Sequence, residues 1–272
     1  MLFFRPVLTL TLLYSVILAQ SQKDVLTQVS TIDALISGIY DGEITIGELL
    51  RKGNLGIGTF NHLDGEMVVL DGKCYQISSS GKIVAVSDTQ KTPFAAVTTF
   101  ETDTTVIITD TLNLEKLEQI IDKLLTNKNL FYALHISGKF KNASTRSVPA
   151  QKKPYVRLTE VVKNQPVFNL QNIKGSLVGF RCPSYVKGIN VPGYHLHFIT
   201  DDRKSGGHLL SCIVDSVTIQ IDRTDSFSVL LPHDSTFASA DFSGSSDEAL
   251  RKLRRNNLLI STWLSHCCCC PL

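Results

Sequence analysis

Gly193-Tyr-His-Leu-His-Phe-Ile-Thr200 and His208-Leu-Leu-Ser-Cys-Ile-Val214, joined by Asp201-Asp-Arg-Lys-Ser-Gly-Gly207, decide how this chain is read. Each flank is an apolar run of strand length, and the polar, glycine-ended link between them is a loop signal. The two runs are predicted to pair as an antiparallel hairpin. Side chains two apart on a strand share a face, so His195 and His197 project together. In the right register His208 joins them, and one strand pair offers three imidazoles to a metal. An open coordination position would make such a site catalytic rather than structural. The plainer reading of the same residues is a half-buried strand with scattered histidines. Cys212 either shares the metal-facing side of its strand or is a small buried residue.

Outward from this hairpin the chain alternates short apolar runs with turn residues. Asp64-Gly65 precedes Glu66-Met-Val-Val-Leu70, and Asp71-Gly72 precedes Lys73-Cys-Tyr-Gln-Ile77. Asp-Gly between apolar strands is a strong hairpin signal. Thr104–Thr109 reads as an extension of that first sheet, and Phe131–Ile136 as a further strand. Val25–Ile36 reads as a strand or a short helix. Thr45 caps a predicted short helix, and Leu112–Leu125 carries apolar residues at helical spacing with Asn113 or Thr111 as its cap. Gly53-Asn-Leu-Gly-Ile-Gly58 reads as a glycine-rich loop that matches neither phosphate-binding pattern. Three prolines between residues 147 and 167 mark a connector. The predicted class is α+β, two sheet-rich halves of largely antiparallel strands with few helices, at 21–147 and 148–242.

Bulk properties narrow the function classes. The chain has 272 residues, 27 Lys and Arg, and 25 Asp and Glu. Its first twenty residues pair Arg5 with an apolar run from Val7 to Leu18 and a small residue at Ala19, the composition of a secretory signal peptide. Removing them takes away only Arg5 and leaves a net charge of +1. That balance gives no electrostatic footprint for nucleic acid or for a membrane surface. The run is short for a bilayer span, so after leader cleavage the protein is expected to be secreted and free of the membrane. Asn142-Ala-Ser144 is a glycosylation sequon that suits such a route. Of the cysteines, Cys74, Cys182 and Cys212 are dispersed and Cys267–Cys270 are consecutive, so export permits one disulfide among the dispersed three without selecting it.

Several spaced motifs then agree. Gly56-Ile-Gly-Thr-Phe60, Leu63-Asp-Gly-Glu66, Thr145-Arg146, Lys163-Asn-Gln-Pro166 and Gly188-Ile-Asn-Val-Pro-Gly-Tyr-His-Leu-His-Phe198 with Gly206-Gly-His208 resemble α-acetolactate decarboxylase, in order from about residue 24 to residue 242. The resemblance implies conversion of (S)-2-acetolactate to (R)-acetoin and carbon dioxide on Zn²⁺, in a homodimer. It places His195, His197 and His208 as the zinc ligands, Glu66 beside the metal, Arg146 on the substrate, and Thr59 in the pocket lining. Without it, Glu66 reads as a solvated strand end and Arg146 as a surface loop residue.

One departure accompanies the match. The family supplies a second glutamate from a C-terminal helix, and the matching position here is Arg254, at the head of a tail, 254–272, unlike the family. A mispredicted splice boundary or a frame change is the favoured origin of that tail. Two alternatives therefore stand beside the enzyme: a non-catalytic metal-binding homologue lacking the final acid, and another secreted three-histidine metalloenzyme such as a cupin-type oxygenase.

Overall fold

The computed structural model describes residues 24–243 together with Ala249. The leader, Arg254 and the cysteine-rich tail lie outside the described residues. In chain order the strands are β1 (Val25–Val29), β2 (Ile44–Thr45), β3 (Leu55–Thr59), β4 (Glu66–Leu70), β5 (Lys73–Ile77), β6 (Ile83–Val84), β7 (Lys91–Thr92) and β8 (Ala95–Thr98). They continue as β9 (Thr104–Ile108), β10 (Leu112–Asn113), β11 (Phe131–Arg146), β12 (Val167–Cys182), β13 (Gly193–Thr200), β14 (Gly206–Thr224) and β15 (Ser226–Leu230). The helices are α1 (Ile32–Ile36), α2 (Ile46–Leu50), α3 (Leu114–Leu124), α4 (Leu158–Val161) and α5 (Ser235–Ser239).

Two large sheets follow. The first has the order β15-β1-β8-β3-β4-β5-β6, and the second is built on β10-β14-β11-β12-β13 with β9 on the outer side of β14. Pairing is antiparallel throughout the described strands except between β1 and β15. The class is therefore α+β and largely antiparallel, as the turn-punctuated sequence predicts. β11 and β12 lie on either side of the 147–148 boundary and pair with each other from Tyr132 and Arg181 to Arg146 and Val167.

Strand alternation sorts the side chains into layers. Val68 and Leu70 of β4 join Leu55, Ile57, Val178, Phe180 and Ile199 in a core between the two sheets. Met67 and Val69, one residue out of phase, turn to the opposite face and pack with Ile46 and Leu49 of α2. On the far side of the second sheet, Leu196 and Phe198 of β13 meet Leu117 and Ile121 of α3. Phe140 and Phe198 stack there edge-on at 5.0 Å, worth roughly 1 kcal/mol beyond their buried area.

Local chemistry explains most of these elements. Thr45 accepts from the Glu48 amide while Glu48 reaches back to Thr45, a reciprocal cap that starts α2. Asn113 caps α3. Val25–Ile36 contains both elements offered for it, a strand and then a helix, with Thr31 capping the latter. Asp71 and Gly72 both hold positive φ, as a two-residue hairpin turn between β4 and β5 requires.

Four expectations change. Gly53–Gly58 is not a loop, since its second half is β3, a central strand of the first sheet. A Cβ on Gly56 would come within 2.2 Å of the Ala96 carbonyl oxygen, so the glycines admit close approach of β8. Thr104–Ile108 extends the second sheet, not the first. The connector carries α4, whose Leu158 and Val161 are buried. Cys74, Cys182 and Cys212 are all free thiols, so the disulfide that export would permit among them is absent.

β14 also buries Asp222, near Asp24, Glu101 and Asp103, and burial pushes its carboxyl from an ordinary 3.8 to about 7. Between those values the folded state holds a proton that the unfolded state has released, so this group's contribution to stability falls as pH rises from 4 to 7. Asp222→Asn keeps an acceptor for the Glu101 amide. It is expected to raise the urea midpoint at pH 8 and to leave it nearly unchanged at pH 4. Equal shifts at both values would contradict this account.

Candidate metal centre

The hairpin forms as β13 and β14, and His197 stands directly opposite His208 in its register. His195, His197 and Ile199 share the face of β13 that looks toward the first sheet, because Leu196 and Phe198 occupy the other. One ligating nitrogen from each of His195, His197 and His208 lies within 4.8 Å of the others. Their rings are 5.0–5.2 Å apart, centre to centre. Among the described residues this is the group of histidine, cysteine and acidic side chains arranged to hold a metal ion.

Cys212 is excluded by a register shift. Ser144 pairs with Ser211 and Thr145 with Leu209, which leaves Leu210 as an extra residue in β14. The bulge reverses the phase beyond it, so Leu209 and Cys212 both point into the α3 layer. Without it, residues 208, 210 and 212 would share one face.

His197 shows that the cluster suits a cation. Its Nδ1–H donates to the Met67 carbonyl oxygen at 2.8 Å, which assigns the lone pair to Nε2. That Nε2 is buried and has no hydrogen-bond partner among the described residues. A buried acceptor left unpaired costs about 1–3 kcal/mol, and a bound cation would remove that cost. Burial holds His197 down at about pH 4, and burial with the Arg146 charge holds His208 well below its ordinary value. Neutral imidazoles are the form that binds metal.

Two charged groups complete the centre. Glu66 opens β4 opposite Thr59, the last residue of β3. Its phase with Val68 and Leu70 aims it between the sheets, and its Oε2 lies 3.5 Å from His197 Nε2 without bonding to it. Burial raises the Glu66 carboxyl to about 7, against the opposing pull of Arg146. The Thr59 hydroxyl donates to the Gly65 carbonyl oxygen at 2.6 Å and so ties down the turn that delivers Glu66.

Arg146 is not a surface loop residue. β11 runs through the sequon to end on Arg146, which pairs with Val167 on one side and His208 on the other and is 7% exposed. Nη1 donates to Gln165 Oε1 at 3.0 Å, while Nε is buried without a partner among the described residues. Asn142 sits half-buried within the same strand.

All six residues line a cavity of about 440 Å³. The rest of its lining includes an apolar patch formed by Ile32, Leu35, Val148, Leu158 and Val162, which pack in one cluster. Sequence reasoning missed the Met67 carbonyl, a backbone group with no side-chain signature. It also gave no role to Gln165, visible only as part of Lys163-Asn-Gln-Pro166, or to Glu118, which reads as one more polar residue of α3 yet lines the cavity.

This combination defines a class: an enzyme-like centre with three imidazoles, one acid and one guanidinium in an antiparallel scaffold. The sequence profile described as α-acetolactate decarboxylase matches residues 26–244. The chain is 46% identical to the α-acetolactate decarboxylase of Methanosarcina mazei over 238 residues, covering 88% of this chain and 83% of that protein. It is 44% identical to that of Brevibacillus brevis over 219 residues, covering 80% and 77%. The crystal structure of α-acetolactate decarboxylase from Bacillus subtilis strain 168 superposes with a TM-score of 0.82 at 39% identity, covering 85% of this chain and 98% of that one. The chain belongs to the α-acetolactate decarboxylase family, a family of carboxy-lyases acting on a small molecule. No described helix is long and apolar enough to cross a membrane.

Proposed function

We propose that this protein converts (S)-2-acetolactate to (R)-acetoin and carbon dioxide, using a zinc ion held by His195, His197 and His208. The observation that carries this reading is the buried, partnerless Nε2 of His197 converging with two further imidazoles beside Glu66 and Arg146.

Arg146 faces the substrate carboxylate with a buried guanidinium, a planar two-point contact that lysine would not reproduce. Release of that carboxylate as carbon dioxide leaves an electron pair delocalised over the adjacent ketone as an enediolate. Held by the three imidazoles, a zinc ion would supply Lewis acidity that stabilises the charge developing on the keto oxygen. Glu66, whose carboxyl burial raises above its ordinary value, is placed to deliver a proton to the carbon that lost carbon dioxide. Delivery from one side sets the handedness of acetoin, and solvent restores the proton. Thr59, its own hydrogen committed to Gly65, keeps oxygen lone pairs to accept from the substrate hydroxyl. The apolar patch limits competing protonation by water.

The test is incubation of the purified protein with racemic acetolactate and chiral chromatography of the product. Formation of (R)-acetoin supports the reading, and zinc-loaded protein that forms no acetoin would favour the non-catalytic homologue instead. Two further parts of the proposal rest on the sequence alone. The leader directs export, and the protein works as a homodimer, as the resemblance implies. Cell fractionation and light scattering check them.

A further inference from the structure

Arg146 is held by an unusual partner for a buried cation. Burying a guanidinium is costly unless its donors are satisfied, and a carboxylate is the usual acceptor. Here its Nη1 donates to the side-chain oxygen of Gln165, a neutral amide, at 3.0 Å. Glu66 is its acidic neighbour in the cavity wall and makes no hydrogen bond to it that replaces Gln165's. A neutral acceptor orients the guanidinium without cancelling its charge.

The backbone presents Gln165 for this task. It follows the 3₁₀ turn Val162–Asn164, and the following Pro166 restricts it to extended backbone, here φ −74° and ψ 139°. The turn is anchored by Val162, buried among Leu158, Val161 and Ile36. Ser147, next to Arg146, donates its amide to the Pro166 carbonyl oxygen at 3.4 Å, so both partners are tied to one short stretch of chain. Among the described residues Arg146 Nε stays buried and unpartnered in the cavity wall.

We propose that Gln165 is a positioning residue for substrate recognition: through Nη1 it locks Arg146 so that an undiminished positive charge and the unpaired Nε meet the substrate carboxylate. This rests on the function proposed above. Two variants separate it from simple packing. Gln165→Met keeps the length and removes the acceptor, whereas Gln165→Glu keeps the acceptor and adds a charge that competes for Arg146.

Both are expected to raise KM for acetolactate about tenfold or more while kcat changes less than about threefold, the pattern of lost ground-state binding. Zinc content should match the parent protein, and Tm should fall modestly in Gln165→Met, which leaves the buried Nη1 without its acceptor. Inhibition by acetoin, which lacks the carboxylate, should keep its inhibition constant in both variants. A packing role predicts that Gln165→Met is silent, and a KM unchanged in either variant would overturn the proposal. If the parent protein turns over acetolactate and the variants match it, the positioning role alone fails. If the parent protein forms no acetoin, the functional reading fails and the role falls with it.

Discussion

Replacing His197 with alanine is expected to abolish zinc binding and to lower turnover at least about a thousandfold. A Lewis acid that stabilises charge at the reacting centre is worth several kcal/mol of barrier, and each 1.36 kcal/mol is a factor of ten. His197 is the member of the trio with the most to lose. It is 1% exposed, its Nδ1 is tied to Met67 of the first sheet, and its Nε2 has no hydrogen-bond partner among the described residues. Removing the ring also strips the Met67 carbonyl oxygen of its donor and opens a hole between the sheets, so a stability loss of about 1–3 kcal/mol should accompany the loss of metal. Elemental analysis read beside a denaturation curve separates the two effects. Full zinc occupancy in a folded His197→Ala protein would remove His197 from the ligand set.

Glu66→Gln should behave differently. The amide is nearly isosteric with the acid and should leave the metal in place, yet it has no proton to give. Turnover is expected to fall by about 10²- to 10⁴-fold, the usual contribution of a general acid. The pH profile carries the sharper signature. Burial raises the carboxyl above its ordinary value, so the acid form needed for protonation is lost as pH rises and kcat declines on the alkaline side. A cation beside the carboxyl favours its ionised form, so zinc draws this limb to lower pH. The variant should show a flat profile over the same range. A Glu66→Gln protein that retained parental kcat would assign the proton to another group.

The sequence made the histidine hairpin legible because two signals coincide there, a period-two pattern and a polar turn of suitable length. It left the bulge at Leu210 invisible. Alternation alone places Cys212 with His208, and only the pairing of β14 against β11 reveals the extra residue. Arg146 was hidden for a related reason. Apolar alternation fades after Ile136, and register shifts around Phe140 break the pattern that would have carried β11 on to its end. Gly56 and Gly58 resembled a loop because a strand pressed between neighbours at this distance has no room for side chains to announce it.

The acid and the guanidinium were legible as a resemblance and not as chemistry. Glu66 is the first residue after a turn, and nothing in Leu63-Asp-Gly-Glu66 says that its side chain points inward between two sheets. That follows from the phase of Val68 and Leu70, which is readable once β4 is known to lie between β3 and β5. Gln165 shows the limit most plainly. A glutamine before proline is ordinary in sequence, and its bond to Arg146 depends on two segments meeting across the sheet.

The account stands on the three imidazoles sharing one metal ion that turnover requires. Its most direct test is elemental analysis of the purified protein, paired with acetoin formation before and after chelation. We expect about one zinc per chain, lost together with activity on chelation and restored with it on adding zinc back. Protein that contains no bound metal, or that forms acetoin at an undiminished rate once stripped, would contradict it.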